Sequence, residues 1–202
     1  MSHRKWHVIH KKGWRAIVIA IPDIKIALKI FPKENLKAAE REANVLKMLQ
    51  DIPNVPRFYY FVTSPVPILI REFIPGEPII DYFLKASIDE IKHILKEMII
   101  LAKQLDERGI IVEELSRAKD NVIIYNRRPY IIDLERVSFT VTRSNITQIL
   151  AWILFISKIE GIAKKIHYIV NIDTVKDVAR EYKRTRNFQR VMKIFKDSFL
   201  YS

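Results

Sequence analysis

The chain has no cysteine and only four glycines in its 202 residues. The lack of cysteine excludes disulfide frameworks and thiolate zinc sites, and it is compatible with a reducing cytoplasm. Long hydrophobic runs are also missing, because the longest apolar block, Ile149–Ile156, is too short to cross a bilayer. The basic N-terminal stretch Met1–Lys12 lacks the apolar segment of a secretory signal. These absences predict a cytoplasmic protein that does not enter a membrane.

Basic side chains outnumber acidic ones along the chain. There are 35 lysines and arginines against 23 aspartates and glutamates, which gives a net charge of +12. Residues 158–202 hold eleven basic and five acidic side chains and so carry +6, about half of that excess. A basic surface favours polyanions, which makes RNA or an acidic protein a candidate partner. The alternative is that these residues are the ordinary solvated surface of helices, and composition does not separate the two.

Short apolar segments dominate residues 1–75. Residues 14–30 have the pattern of a β-hairpin, and 58–62 and 68–73 that of two further strands. Between them, Leu36–Leu49 has the apolar spacing of an amphipathic helix. The sequence therefore predicts a β-rich unit that contains one helix.

Helical patterns dominate residues 76–202. Ser87 and Glu90 have the spacing of a capping box, and the helix that they open ends at Gly109. Asn145 is predicted to cap another helix. A hairpin is also expected, with strands over 122–125 and 130–134. The later helices are expected over 145–157, about 174–184 and 187–199. Together the two halves predict an α+β protein.

Two charged residues occupy positions where the pattern expects apolar side chains. Lys29 lies on the strand face shared with Ala27 and Phe31, and Glu42 precedes Leu46 by one helical turn. Burying a charge without a partner costs roughly several kcal/mol of folding free energy, and an ion-pair partner removes much of that cost. We therefore expect Lys29 and Glu42 to pair with each other or with a ligand. The alternative is that Lys29 extends to water and Glu42 lies at the edge of the helix.

A carboxylate and an amide mark the ends of the predicted hairpin in the second half. Asp133 follows an apolar strand, and Asn121 precedes the partner strand. Their side-chain oxygens are hard donors that suit Mg²⁺ carrying a nucleotide phosphate. Both residue types are also common in turns, so a purely structural role stays open.

The order of these features resembles the protein-kinase superfamily, and most closely the reduced, RIO-like atypical kinases of archaea. Ile26–Lys29 is similar to the V-A-I-K strand, and Glu42 to the helix glutamate that pairs with its lysine. Asp133–Glu135 occupies the place of the D-F-G motif, and Glu72–Gly76 resembles the hinge segment. The resemblance covers roughly residues 11–157.

The resemblance implies a two-lobed kinase-like fold, with a small β-rich N-lobe over 1–75 and a mostly helical C-lobe over 76–202. It also implies an atypical serine/threonine protein kinase that binds ATP with Mg²⁺ or Mn²⁺ and phosphorylates a protein or itself. Lys29 would hold the α- and β-phosphates and Glu42 would position Lys29. Asn121 and Asp133 would bind the metal. The residues so assigned to ATP are Gly13, Lys29, Glu42, Glu72, Ile74 and Asn121.

The chain departs from the kinase pattern in three places. Gly13 is the one glycine left where the family has a glycine-rich loop, so phosphate binding by the backbone is reduced. Glu114 stands where the family has its catalytic aspartate, and it is the candidate group for the acceptor hydroxyl, with Lys29 and Asp133 completing the catalytic set. A structural role for Glu114 stays open. Glu135 replaces the glycine that follows the metal-binding aspartate, and little chain remains for an activation loop.

These departures leave several functions open. The first is an active atypical kinase, and the second is a pseudokinase or ATP-gated binding module with little turnover. A phosphotransferase for small molecules is a third. RNA or an acidic protein could also bind the basic C-terminal helices, as the main function or beside ATP binding.

Overall fold

A computed structural model describes much of the chain. The described residues are 6–9, 16–113, 115–140 and 142–195. Within them the protein has the predicted mixed α+β composition. It forms two compact units. The first contains the described residues up to Gly76 together with Tyr130–Val137, and the second contains the other described residues.

The first unit is discontinuous in sequence. The sequence predicts a single boundary between residues 75 and 76, whereas the structure groups Tyr130–Val137 with the N-terminal residues. A backbone hydrogen bond helps to hold this segment, because the Ile131 amide donates to the Asn54 carbonyl at 3.0 Å. A segment late in the chain therefore completes the first unit.

One antiparallel sheet and one α-helix form the frame of the first unit. The strands lie in the order His7–Ile9, Ile17–Ile21, Ile26–Ile30, Ile68–Glu72 and Phe58–Val62. The predicted hairpin is confirmed over its described residues, and it reverses at Lys25, which has a positive φ of 52°. The elements are β1 (His7–Ile9), β2 (Ile17–Ile21), β3 (Ile26–Ile30), α1 (Leu36–Met48), β4 (Phe58–Val62) and β5 (Ile68–Glu72).

Helix α1 packs its apolar side against β4 and β5. Its buried residues include Ala39, Ala43 and Leu46, which recur at the three- and four-residue spacing of one helix face. Glu42 lies on the same face. The predicted helix is therefore confirmed, and its packing carries a carboxylate into the interior of the first unit.

The second unit is built mainly from helices. Its helices are α2 (Ile79–Lys85), α3 (Ile88–Glu107), α4 (Ala118–Asn121), α5 (Asn145–Ile156), α6 (Ala163–Ile169), α7 (Ile172–Thr185) and α8 (Phe188–Met192). Its strands are β6 (Glu77–Pro78), β7 (Ile110–Val112) and β8 (Val122–Tyr125). Two further strands, β9 (Arg128–Ile131) and β10 (Val137–Phe139), contain residues of both units. Strand β8 pairs with β6 and β9, and β7 pairs with β10.

Local sequence signals fix both ends of α3. The Ser87 side chain accepts a hydrogen bond from the Glu90 amide, and the Glu90 carboxylate accepts one from the Ser87 amide, which confirms the capping box. Gly109 follows the helix with a φ of 66°, a conformation that glycine adopts without strain. The buried face between these ends includes Ile91, Leu95 and Met98.

The hairpin from β8 to β9 turns on two residues. Asn126 and Arg127 both have positive φ, at 49° and 58°, as a type I′ turn requires. Strand β9 ends at Ile131, so Asp133 lies two residues beyond the strand and not at its end.

Two helical predictions need correction. Ser144, not Asn145, caps α5, because the Ser144 hydroxyl accepts from the Thr147 amide. The Asn145 side chain instead bonds the Asp106 carboxylate and the backbone of β7. The helix predicted at about 174–184 is confirmed as α7, whereas α8 ends at Met192, and the end of the predicted 187–199 helix lies outside the described residues. Helices α2 and α6 were not predicted.

The interior of the second unit lies around α5, which is apolar nearly all round, as predicted. Trp152 is fully buried, and its ring centroid lies 5.9 Å from that of Phe83 on α2. Among the described helices none combines the length and the apolar character needed to cross a bilayer.

A single lysine ties α6 to the end of α2. The Lys165 amine donates to the carbonyls of Phe83, Leu84 and Ala86 at 2.9 to 3.0 Å. The carbonyls at a helix C-terminus lack partners within the helix and carry partial negative charge, so this cation satisfies them.

We expect Lys165→Met to lower the free energy of unfolding by about 1 to 3 kcal/mol, because three carbonyls lose a charged donor. Urea denaturation measures the change. Lys164→Met, at an exposed neighbouring position, is the matched control and should change stability by less than about 0.5 kcal/mol. Equal effects of the two substitutions would contradict the capping role.

Candidate functional site

Lys29 is a buried cation in the middle of the sheet of the first unit. It lies on β3, between β2 and β5, and is only 5% exposed. Its neighbours on the same strand face, Ala27 and Phe31, are also buried, and its amine lies 5.1 Å from the centroid of the Phe31 ring. The flanking strands fix the backbone of Lys29, so the amine is held in the interior.

Glu42 on α1 pairs directly with this amine. The distance from Lys29 Nζ to Glu42 Oε2 is 2.7 Å, and Glu42 is 1% exposed. Burial alone would lower the pKa of Lys29, but the carboxylates of Glu42 and Asp133 outweigh burial and raise that pKa above its ordinary value. The amine is therefore charged at neutral pH.

Two more carboxylates approach Lys29 from the segment after β9. Asp133 Oδ1 lies 3.3 Å from Nζ, and Glu135 Oε2 lies 3.8 Å from it. The Glu135 amide donates to Asp133 Oδ1 at 3.1 Å, which fixes the turn between the two acids. The Asp133 side chain is 43% exposed, whereas that of Glu135 is 11% exposed. Asp133 therefore lies at the solvent-accessible side of the site.

The lowered pKa of Asp133 follows from these contacts. Burial alone would raise its pKa, but the Lys29 ammonium and the hydrogen bond from the Glu135 amide together bring it below the ordinary value. Asp133 is thus an ionised carboxylate at neutral pH.

Arg71 is a second buried cation in the same region. It lies on β5, directly opposite Ala27 of β3, and is 7% exposed. Its Nη1 donates weakly to the Glu72 carbonyl at 3.4 Å, and its Nε has no hydrogen-bond partner. Burial lowers the pKa of Arg71, and the carboxylates of Glu42 and Asp133 partly offset this. The Arg71 Nε is therefore an unsatisfied buried donor in the same region as these acids.

Arg71 was not among the site residues predicted from the sequence, although a signal was present. It breaks the apolar alternation of β5 in the same way that Lys29 breaks that of β3. Glu135 was considered only as a replacement for a glycine, and its approach to Lys29 depends on a turn that periodicity does not describe. The two buried cations and the three acids near them are called the Lys29 cluster below: Lys29, Glu42, Arg71, Asp133 and Glu135.

The charges and oxygens of the Lys29 cluster suit a divalent cation. Glu42, Asp133 and Glu135 each offer one carboxylate oxygen, and these oxygens lie within 4.8 Å of one another. With all groups ionised, three carboxylates face two cations and leave a net charge of −1. Hard carboxylate oxygens are the ligands that Mg²⁺ and Mn²⁺ prefer. The three acids could therefore hold such an ion, which would compete with the Lys29 ammonium for their oxygens.

The other predicted site residues lie in different surroundings. The Glu72 amide already donates to the Arg57 carbonyl at 2.8 Å, and the Glu72 carboxylate accepts from the Arg57 amide at 3.2 Å. Ile74 is buried, and its carbonyl accepts from the Gly76 amide at 2.9 Å. Asn121 is buried at the end of α4 in the second unit.

Two predicted site residues, Gly13 and Glu114, lie outside the described residues. Of the predicted set, the structure brings together Lys29, Glu42 and Asp133, all of which belong to the first unit.

Comparison of the chain with protein-family models and with curated proteins gave no match to either. Its chemistry must therefore be inferred from the residues themselves.

Removal of one partner of the buried pair should be strongly destabilising. We expect Glu42→Gln to lower the free energy of unfolding by about 3 kcal/mol, because it leaves a buried ammonium without its nearest carboxylate. Chemical denaturation at pH 7 measures this loss. Glu40→Gln, at an exposed position of α1, is the control and should be nearly neutral.

The double variant Lys29→Met with Glu42→Leu should recover a large part of the loss, since apolar side chains of similar size often replace a buried ion pair without penalty. If Glu42→Gln were as harmless as Glu40→Gln, Lys29 and Glu42 would not form the buried pair described above.

The ion pair of Asp133 should make stability depend on pH in the acid range. Because the folded-state pKa of Asp133 is lowered from 3.8, its contribution is present above that value and is lost as pH falls through the folded-state pKa. Asp133→Asn should therefore differ from wild type in unfolding free energy near pH 6, and the difference should shrink below about pH 4. A difference independent of pH would show that the pair does not contribute in this way.

Proposed function

We propose that this protein is an atypical, RIO-like protein kinase with a two-lobed kinase-like fold. It would transfer the γ-phosphoryl group of ATP to a serine or threonine hydroxyl of a protein or of itself. The observation that carries the proposal is the buried Lys29 ammonium at 2.7 Å from Glu42 and 3.3 Å from Asp133. A cation held this way, on the central strand of a small antiparallel sheet and paired to its one α-helix, suits phosphate binding.

Different residues of the Lys29 cluster would bind the phosphates and the metal ion. Glu42 keeps the Lys29 amine charged and in place, so that the amine can contact the α- and β-phosphates. Asp133, the most exposed acid of the cluster, would ligate the metal. Bound Mg²⁺ or Mn²⁺ would neutralise the phosphate oxygens during transfer. Arg71 brings a second positive charge to the same strand face.

The assignment of further roles rests on the order of residues in the sequence. By that order, the backbone of Glu72 and Ile74 would bind adenine, Gly13 would lie by the phosphates, and Asn121 would supply a second metal ligand. Glu114 would orient the acceptor hydroxyl. The Glu72 amide is already used by Arg57, so adenine would be bound there by other backbone groups.

Metal should be required before nucleotide binds tightly. Without metal, Lys29 has three carboxylate oxygens within 3.8 Å, and a phosphate would have to displace them or bind beside them in a cluster of net charge −1. With a divalent cation held by Asp133 and Glu135, the net charge of the cluster would become +1, and these two acids would be shared between the cation and the amine. The site then attracts a polyanion.

The same contacts support a second candidate function, a nucleotide-gated binding module with little turnover. Glu135 approaches Lys29 at a position where the kinase pattern has glycine, and it adds negative charge next to the proposed phosphate site. Such a protein would bind ATP with metal and change conformation or partner without transferring phosphate.

Calorimetric titration with ATP tests the proposal. Wild type should bind ATP in the presence of Mg²⁺ or Mn²⁺ and at least tenfold more weakly in EDTA. Asp133→Asn should lose the metal-dependent part of the affinity, whereas Glu40→Gln should bind like wild type. Binding that ignores both metal and Asp133 would contradict the assignment.

Labelled ATP then separates the two functions. Transfer of the γ-phosphate to the protein or to an added protein substrate supports the kinase, and its loss in Asp133→Asn is expected. Metal-dependent binding with no transfer to any acceptor supports the binding module.

A further inference from the structure

A basic groove lies on the second unit, and it shares no residue with the Lys29 cluster. It has a volume of about 590 Å³ and is bounded by the start of α5, the loop before it and the end of α7. Three of its side chains are cationic, and one is acidic. The residues that define the basic groove are Glu113, Arg143, Thr147, Gln148, Lys183 and Arg186.

Hydrogen bonds fix the walls of the basic groove. Arg186 donates to the Arg143 carbonyl at 3.4 Å, and its guanidinium lies 5.7 Å from the ring of Tyr182. These contacts link the end of α7 to the loop before α5. On the floor, the Thr147 hydroxyl donates to the Ser144 carbonyl at 2.8 Å, and the Gln148 amide donates to the Val112 carbonyl at 2.9 Å. The cations are thus presented from a framework that is already ordered.

Among the side chains that line the basic groove, cations outnumber acids. Arg143 lies 3.8 Å from Glu113, and both side chains are well exposed, a geometry that contributes little. Lys183 is exposed and has no ion-pair partner within the described part of the chain. The lining side chains carry a net charge of +2, and the Asp106 carboxylate lies behind them and accepts from the Ser144 hydroxyl. This charge matches the −1.5 to −2 of a phosphate monoester at about neutral pH.

The shape and the side chains favour a phosphorylated side chain over a nucleic acid. Single-stranded RNA is generally bound on aromatic side chains against which its bases stack, and none lines the basic groove among the described residues. Two guanidinium groups suit a compact phosphate because each can donate two parallel hydrogen bonds. We propose that the basic groove binds a phosphorylated serine or threonine of a protein segment. This site goes beyond the proposed ATP chemistry and does not depend on it.

Titration with a synthetic phosphopeptide tests the proposal. The probe is a ten-residue peptide of otherwise neutral residues with one central phosphoserine, compared with the same peptide unphosphorylated. We expect saturable binding of the phosphopeptide alone. Arg143→Gln, Lys183→Gln and Arg186→Gln should each weaken it by about tenfold, because each removes a charged donor to phosphate.

Exposed cations elsewhere on α7 provide matched controls. Lys176→Gln and Arg180→Gln make the same change of charge on the same helix, outside the basic groove, and should leave phosphopeptide binding unchanged. Equal losses from groove and control variants would overturn the proposal, because general charge would then explain binding. Equal affinity for the unphosphorylated peptide would also overturn the proposal. So would tighter binding of a single-stranded RNA oligonucleotide of mixed base sequence, if that binding were lost in the same groove variants.

The outcome can be separated from that of the ATP experiment. Asp133→Asn should bind the phosphopeptide like wild type, and Arg143→Gln should bind ATP and metal like wild type. Loss of phosphopeptide binding in Asp133→Asn would contradict an independent site on the second unit.

Discussion

The ion pair between Lys29 and Glu42 is the constraint on which the first unit depends. Each residue would be costly in the interior without the other, so β3 and α1 must be placed together to within hydrogen-bond distance. The small side chain of Ala27 and the flat ring of Phe31 leave room for the amine on its strand face. If helix α1 shifted along the sheet by one turn, Glu42 would no longer reach the Lys29 amine, and both charges would be buried without a partner. The pair therefore fixes the register of the helix against the strands as well as the electrostatics of the site.

Around this pair, the Lys29 cluster is close to electrical balance but does not reach it. The two cations and three carboxylates share one region, the Nε of Arg71 is left without a partner, and Asp133 remains partly open to solvent. A fully satisfied network would be a good structural element and a poor binding site. Here the remaining donor, the excess negative charge and the access to solvent all occur at one place. This combination is why we locate ligand chemistry in the cluster and not elsewhere in the first unit.

Local patterns in the sequence predicted a large part of the fold. The spacing of apolar residues located α1 and α3, and turn and cap chemistry located the ends of α3 and the hairpin after Tyr125. Lys29 and Glu42 could be selected because each interrupts a regular pattern. What was missed depends on contacts between distant residues. Asn145 looks like a cap in the sequence, but its side chain is used by Asp106 and β7, which lie more than thirty residues away. The approach of Glu135 to Lys29 likewise follows from a tertiary contact of the Asp133 turn.

The discontinuous sequence of the first unit has a consequence for how the protein is made. The sheet and α1 emerge from the ribosome first, with Lys29 and Glu42 already able to meet, but Tyr130–Val137 follows only after all the elements from α2 to β8 have been synthesised. During that interval the nascent unit lacks the backbone partner of Asn54 and the acids at positions 133 and 135. Domains generally fold from the N-terminus during synthesis. In this protein the N-terminal sheet can form early, whereas the finished Lys29 cluster has to wait until residues 77–129 of the second unit have been translated.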